Sequence, residues 1–341
     1  KFVSASAGNH AQGFAFACQH FGVKGRIYMP VTTPQQKIIK TASFGGNTIE
    51  IIMQGDYFDE TLEAALKYAH ETGASMLPPY DHPDVIEGQA SVGVEILNQL
   101  GQAPDMIITP VGGGGLSSGL VKYFENHTID FKFCEPLGGR SLYEALLANK
   151  LVTLNHVDNF VDGAAVARIG DNNFAILKHQ KVNDVLGIPE GRICTTIIDM
   201  LNIEGIVLEP AGALAIDALK DLKDQIRGKK VVCIASGGNF DFERLPDIKE
   251  RALRFEGLKK YFILRMPQRP GALKDFLNLL GPNDDIARFE YLKKSARNFG
   301  SVLLGIESGS AEGFKDLCKR MTDNGFTFED ITNDELLAQF F

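Results

Sequence analysis

Four consecutive glycines, Gly112 to Gly115, constrain the fold of this chain more than any other feature. A short apolar stretch with strand character, Met106 to Thr109, precedes them, and a helical pattern, Leu116 to Phe124, follows. Residues without a Cβ atom let the backbone turn its N–H groups toward one point, and a helix start adds free N–H groups and a positive dipole end. A flexible linker is rarely placed between a buried strand and an amphipathic helix, so the run predicts an anion site, and we expect the anion to be a phosphate.

Composition and charge narrow the class of protein. The 341 residues are 44% hydrophobic, enough for a large core and two or three domains. The net charge of −8 comes with no basic stripe, which argues against nucleic acid as a partner. Five scattered cysteines suggest neither a zinc site nor a disulfide framework, and no apolar stretch is long enough to cross a membrane. We expect a cytoplasmic protein that acts on small molecules.

Strands and helices alternate through the first 250 residues, which predicts an α/β fold. The segment Asp81 to Pro83 is expected to lead the chain from one lobe to the other. This predicts a small lobe, residues 1–80, and a large lobe, residues 81–256, that carries the glycine run. Within the large lobe the pattern predicts helices over 88–100 and 211–226 and a buried strand over 230–235. After Arg254 the order becomes βαββαβ, which predicts a separate ferredoxin-like domain over 257–341.

Two further loops are expected at strand ends, where ligands bind in open α/β sheets. Ser6 to His10 offers backbone N–H groups at a helix start, suited to a carboxylate, and the amide of Asn9 is suited to a hydroxyl. Ser236 offers a neutral hydroxyl that can bond a ring nitrogen without forcing a proton onto it. Each loop alone could be an ordinary turn. Together the three loops predict a cofactor with a phosphate, a phenolic oxygen and a ring nitrogen, and an amino-acid-like substrate.

A dinucleotide-binding turn is the alternative interpretation of the glycine run. That fingerprint requires a third glycine where this chain has Ser117 or Ser118. Glu135, about twenty residues further on, could imitate the acid that binds a ribose. A nicotinamide dehydrogenase therefore remains an alternative at this point.

The ordered set of motifs resembles the threonine dehydratase (threonine deaminase) family. The resemblance covers residues 1–255 and rests on SAGNHAQG (6–13), the four-glycine loop, DGAAV (162–166) with IGD (169–171), EPAGA (209–213) and SGGN (236–239). The tail, with PQRPGAL (267–273) and FEY (289–291), resembles the ACT-like regulatory domain of the biosynthetic form. The resemblance implies a two-lobed catalytic domain of the tryptophan-synthase-β type, fold type II, with pyridoxal phosphate as cofactor.

The resemblance also implies roles for individual residues. The cofactor phosphate would be held by Gly112, Gly113, Gly114, Gly115 and Leu116. Asn9 would bond the ring 3′-oxygen, Ser236 would face the ring nitrogen, and Gly163 and Glu209 would lie near the ring. The substrate carboxylate would be bound by Ser6, Ala7, Asn9 and His10.

Two departures from the family pattern concern catalysis and metal. The family's Schiff-base lysine lies upstream of the asparagine loop, and Lys1, on the strand leading into that loop, is not this lysine. We expect the native protein to carry the lysine segment before Lys1. Relatives that dehydrate or racemise serine use a glutamate matching Glu135 and an aspartate six positions later, where this chain has Ser141, so we expect no metal site.

The expected activity is the deamination of L-threonine to 2-oxobutanoate and ammonia, the first step of isoleucine biosynthesis. We expect feedback inhibition by isoleucine through the C-terminal domain, and a homo-oligomer, either a dimer or a tetramer. The alternatives are another pyridoxal-phosphate enzyme of fold type II, such as a serine dehydratase or a β-replacing synthase, and an inactive amino-acid sensor that lacks the lysine.

Overall fold

Three four-stranded sheets organise the described residues, 1–292 and 298–334 of a computed structural model. The contacts of the chain separate it into two units, Lys1–Phe242 and Glu243–Phe341. The lobe and domain boundaries inferred from the sequence, 80/81 and 256/257, remain predictions. The end of the expected C-terminal domain, residues 335–341, lies outside the described residues.

The first sheet is parallel, with strand order β3-β2-β1-β4. Its elements are β1 (Phe2–Ala5), α1 (Asn9–Phe21), β2 (Gly25–Met29), α2 (Gln35–Gly45), β3 (Ile49–Met53), α3 (Phe58–Thr72) and β4 (Ser75–Met76). Neighbouring residues of β2 face opposite sides: Ile27 packs with Phe14 of α1, and Tyr28 packs with Ala65 of α3. Helices therefore cover both faces, as a parallel sheet requires.

The second sheet is also parallel, with strand order β7-β6-β5-β8. Its strands are β5 (Met106–Pro110), β6 (Asp130–Pro136), β7 (Val185–Ile188) and β8 (Val231–Cys233). Its helices are α4 (Pro83–Gln89), α5 (Ser91–Leu100), α6 (Gly115–Tyr123), α7 (Ser141–Ala148), α8 (Asp171–Leu177), α9 (Glu190–Ile203) and α10 (Pro210–Asp217). Every residue of β5 is buried, so the strand before the glycine run lies at the centre of this lobe.

Three expectations for this lobe were wrong in detail. The helix expected over 88–100 is two helices, α4 and α5, which meet where Gly119 of α6 comes so close that a Cβ would lie 2.7 Å from the Ile86 carbonyl oxygen. The helix expected to reach residue 226 ends at Asp217 and continues as a short 3₁₀ turn. The strand expected over 230–235 has three residues, each partly exposed, because β8 lies at the edge of the sheet.

The second unit contains the βαββαβ order expected from the sequence. After α11 (Leu245–Phe255) come β9 (Lys259–Pro267), α12 (Ala272–Leu277), β10 (Asp284–Leu292), β11 (Phe299–Ser308), α13 (Ala311–Asp323) and β12 (Thr327–Asp330). The sheet is antiparallel in the order β10-β11-β9-β12. The first and third strands of the βαββαβ order, β9 and β11, therefore lie at its centre, as in ferredoxin-like domains. The expected fold class, a two-sheet α/β part followed by a ferredoxin-like domain, is confirmed. No helix of the described ranges is long and apolar enough to span a membrane.

Candidate active site

One cavity of about 1460 Å³ lies where loops from both parallel sheets meet. The carboxyl end of β1 leads into Ser6–His10, that of β5 into the glycine loop, and that of β8 toward Ser236. All the side chains and backbone segments assigned to cofactor and substrate from the sequence line this cavity, namely Ser6, Ala7, Asn9, His10, Gly112, Gly113, Gly114, Gly115, Leu116 and Ser236. The structure therefore brings the three predicted loops together.

The glycine loop has the shape of an anion cradle. Gly114 has φ = 95°, a left-handed conformation that favours glycine, and α6 begins at the next residue. A Cβ on Gly113 would lie 2.3 Å from the ring of Tyr80, and one on Gly112 would lie 3.0 Å from Ala164 Cα. In the described part of the chain, the backbone N–H groups of residues 112–116 have no hydrogen-bond acceptor. These free donors at a helix start fit a phosphate group.

Asn9 is the first residue of α1 and reaches across the cavity to the large lobe. Its Nδ2 donates a hydrogen bond of 2.7 Å to Glu209 Oε1. Burial raises the pKa of Glu209, and the bond from Asn9 opposes this rise. The Glu209 side chain also lies against Gly237, where a Cβ would be only 1.9 Å from Oε1. Glu209 therefore links the asparagine loop to the segment that carries Ser236.

His10 is held by two partners that the sequence did not indicate. Its Nε2 lies 3.0 Å from Ser4 Oγ and 3.2 Å from the Leu77 carbonyl oxygen. Ser4 Oγ itself donates to the Leu77 carbonyl, so both groups accept from His10 and Nε2 carries the proton. Burial lowers the pKa of His10, and the imidazole is therefore neutral at pH 7.

Two lysines of α2 also connect the lobes. Lys37 Nζ lies 2.8 Å from Asp162 Oδ2, and Lys40 Nζ donates a 2.8 Å hydrogen bond to Asn239 Oδ1. Neither lysine was predicted from the sequence as a site residue, nor was Tyr80, whose ring covers Gly113. Their spacing of three residues on a helix that follows a parallel strand is the signal that could have indicated Lys37 and Lys40.

Comparisons with known proteins agree with this geometry. Residues 1–237 match the model of the pyridoxal-phosphate dependent enzyme family, and residues 250–341 match the C-terminal regulatory domain of threonine dehydratase. The biosynthetic L-threonine dehydratase IlvA of Bacillus subtilis is 47% identical over 336 residues, which cover 98% of this chain and 79% of that protein. The chain belongs to the threonine dehydratase family.

Solved structures extend the comparison to the fold. The processed form of threonine deaminase isoform 2 from Solanum lycopersicum matches with a TM-score of 0.68 and 36% identity, covering 74% of this chain and 73% of that one. A maize serine racemase matches with a TM-score of 0.66 and 28% identity, covering 74% and 78%. The resemblance inferred from the sequence motifs is confirmed, and the family uses pyridoxal phosphate.

Glu135, considered from the sequence as a ribose-binding or metal-binding acid, has a different position. It is fully buried at the end of β6 and does not line the cavity. Its two carboxylate oxygens accept hydrogen bonds from the backbone N–H groups of Leu142 (2.7 Å) and Tyr143 (2.9 Å), at the start of α7. Glu135 therefore caps a helix, because both oxygens satisfy N–H groups that have no partner within the helix.

We expect Glu135 to make the free energy of unfolding depend on pH. Burial raises its pKa to about 8, against the opposing effect of the two backbone donors. A carboxyl with a raised pKa binds its proton more tightly in the folded state, so its contribution is present at acidic pH and is lost as pH rises toward 8. Relative to Glu135→Gln, the wild-type free energy of unfolding should fall between pH 5 and 8 by up to about 1.4 kcal/mol per pH unit.

Urea titrations at several pH values measure this difference, with Glu63→Gln on the exposed side of α3 as the matched control. A pH-independent difference between wild type and Glu135→Gln would show that the carboxyl stays ionised throughout this range.

Proposed function

We propose that this protein deaminates L-threonine to 2-oxobutanoate and ammonia, the first step of isoleucine biosynthesis, with pyridoxal phosphate as cofactor. The observation that carries the proposal is the meeting of the glycine loop, Asn9 and Ser236 at one cavity. The choice of substrate is supported by the 47% identity to a biosynthetic threonine dehydratase over nearly the whole chain. The free cysteines of the described residues suit a reducing cytoplasm, where we place the protein.

The cofactor is held from two sides in this proposal. The backbone N–H groups of Gly112 to Leu116 bind its phosphate, and the Asn9 amide bonds its ring oxygen while Glu209 keeps that amide oriented. The hydroxyl of Ser236 faces the ring nitrogen. When bound, pyridoxal phosphate supplies an electron sink that stabilises negative charge at the α-carbon of the substrate.

The neutral hydroxyl of Ser236 limits how far this sink can act. A hydroxyl can share a hydrogen bond with a ring nitrogen, but unlike a carboxylate it does not hold a proton there. With Ser236 as its neighbour, a bound ring would withdraw less charge, and this would favour loss of the β-hydroxyl group over prolonged storage of negative charge. This favours prompt elimination, which is the chemistry of a dehydratase.

The substrate carboxylate is bound by the turn before α1, through Ser6, Ala7, Asn9 and His10. Backbone N–H groups at a helix start suit an anion. His10 contributes its backbone N–H, because its imidazole is neutral and the Nε2 proton already faces Ser4 Oγ and the Leu77 carbonyl. Ser6 Oγ accepts from the Gly8 N–H at 3.3 Å, which holds the turn in shape.

Turnover of the full-length, cofactor-loaded protein with threonine and with serine tests the activity. We expect 2-oxobutanoate and ammonia in equal amounts from threonine, with kcat/KM higher than for serine by about tenfold, the usual effect of one extra methyl group in a fitted pocket. Pyruvate from serine alone would identify a serine dehydratase. Isoleucine binding without turnover of either amino acid would identify a sensor.

The role of Ser236 is tested by Ser236→Asp. A carboxylate would keep a proton on the ring nitrogen, so negative charge should persist in the ring and kcat should fall by about tenfold, a barrier increase of about 1.4 kcal/mol. Stopped-flow absorbance should show a longer-lived species after substrate is added. Ser236→Thr, which keeps the hydroxyl, is the matched control. Spectra and kinetics of Ser236→Asp equal to those of the wild type would contradict the role.

The second unit is proposed to bind isoleucine and to inhibit the catalytic part when isoleucine accumulates. Residues 250–341 match the regulatory domain of threonine dehydratase, and such a domain is consistent with control by an amino acid. We place this regulatory domain at residues 257–341 and expect the protein to be a homo-oligomer, a dimer or a tetramer. Regulation of this kind requires a second binding site whose affinity differs between two states of the enzyme.

Removal of residues 257–341 tests the regulation. Inhibition of threonine turnover by isoleucine should be lost, because the effector site is absent while the cavity residues remain. The measurement is the turnover rate against isoleucine concentration for the full-length and shortened proteins, with uninhibited turnover of the shortened protein as the control. Equal inhibition of both proteins would place the effector site in the catalytic part.

A further inference from the structure

The carbonyl group of Gly113 is held by two donors from the start of α8. The backbone N–H of Gly170 donates to this oxygen at 3.1 Å, and Asn173 Nδ2 donates at 2.9 Å. Asn173 is completely buried. Two donors on one carbonyl fix the direction of the peptide that joins Gly113 to Gly114.

This direction determines where the next N–H group points. In a planar trans peptide the C=O and the following N–H point in opposite directions. Because the Gly113 carbonyl points toward α8, the N–H of Gly114 points away from α8. Gly114 lines the cavity, and its N–H has no acceptor in the described part of the chain. The contact with Asn173 thus holds one donor of the cradle in place.

Among the described residues, the Asn173 side chain makes its hydrogen bonds through the amide nitrogen alone. Its Oδ1 is buried without a hydrogen-bond partner in the described residues, whereas Nδ2 donates to two carbonyls, those of Gly113 and Tyr80 (3.2 Å). The neighbouring Asp81 carboxylate accepts from the N–H groups of Asp171 and Asn172, both at 2.9 Å. The start of α8 is therefore hydrogen-bonded both to the glycine loop and to the segment that contains Tyr80 and Asp81. The ring of Tyr80 covers Gly113 of this loop.

We propose that Asn173 is a positioning residue for the cofactor phosphate, acting through the orientation of the Gly113–Gly114 peptide. The proposal rests on the placement of the phosphate at the glycine loop under the proposed function. The proposal predicts a selective effect: loss of the Asn173 donor weakens binding of the phosphate group and leaves binding of the ring unchanged.

The test compares pyridoxal phosphate with pyridoxal, which lacks the phosphate. Cofactor is removed from the full-length protein and each compound is titrated back, with absorbance as the readout. For Asn173→Leu, close in size but without a donor, we expect the dissociation constant of pyridoxal phosphate to rise about tenfold, the effect of one weakened hydrogen bond to a charged group. That of pyridoxal should stay unchanged. Asn172→Leu, the same change at the exposed neighbouring position, should alter neither constant.

A second variant separates this inference from the placement of the phosphate. Gly114→Ala forces a Cβ into a left-handed position, 3.0 Å from Ile169 Cδ1, and should reduce the preference for the phosphate form if the phosphate binds at this loop. Loss of preference in Gly114→Ala but not in Asn173→Leu would overturn the role of Asn173 alone. Unchanged preference in both variants would overturn the placement as well.

Equal weakening of both compounds in Asn173→Leu would show a purely structural role and would also overturn the proposal. If Asn173→Leu does not fold, Asn173→Asp, which has the same shape but no amide donor, is measured in the same way.

Discussion

Parallel pairing of the strands is the constraint on which the site depends. In a parallel sheet all carboxyl ends lie at one edge, so loops that are far apart in the sequence meet there. The glycine loop follows β5, and Ser236 lies beyond β8, its direct neighbour in the sheet, although more than one hundred residues separate them. The first sheet brings Asn9 to the same cavity in the same way. The position of the cavity is therefore determined by the strand order of the sheets rather than by any single side chain.

Three polar pairs connect the two lobes across this cavity. Asn9 bonds Glu209, Lys37 pairs with Asp162, and Lys40 bonds Asn239. Water can replace such contacts at small cost, since partly exposed ion pairs and hydrogen bonds each contribute about 1 kcal/mol or less. Burial of Glu209 raises its pKa, while the charges of Lys37 and Lys40 act in the opposite direction. The lysines that join the lobes thus also influence the electrostatics around Glu209.

Local chemistry explains what could be predicted from the sequence. The glycine run, the turn before α1 and the βαββαβ order each depend on residue types that favour one backbone conformation. The role of Glu135 could not be predicted, because a helix cap and a ligand-binding acid look alike until the partner is known. The end of α10 was also not predicted: Asp217, its buried last residue, pairs with Arg192 of α9, a long-range contact that the sequence around Asp217 does not indicate. Asn173 lies some sixty residues from the loop that it contacts.

The strands that lead to the glycine loop and to Ser236 differ in burial and in hydrogen bonding. The glycine loop leaves β5, a central strand of five fully buried residues. Ser236 follows β8, an edge strand of three partly exposed residues with a single hydrogen-bonded neighbour. A ligand bound by both loops would therefore be held from the core of the lobe at one end and from the edge of its sheet at the other.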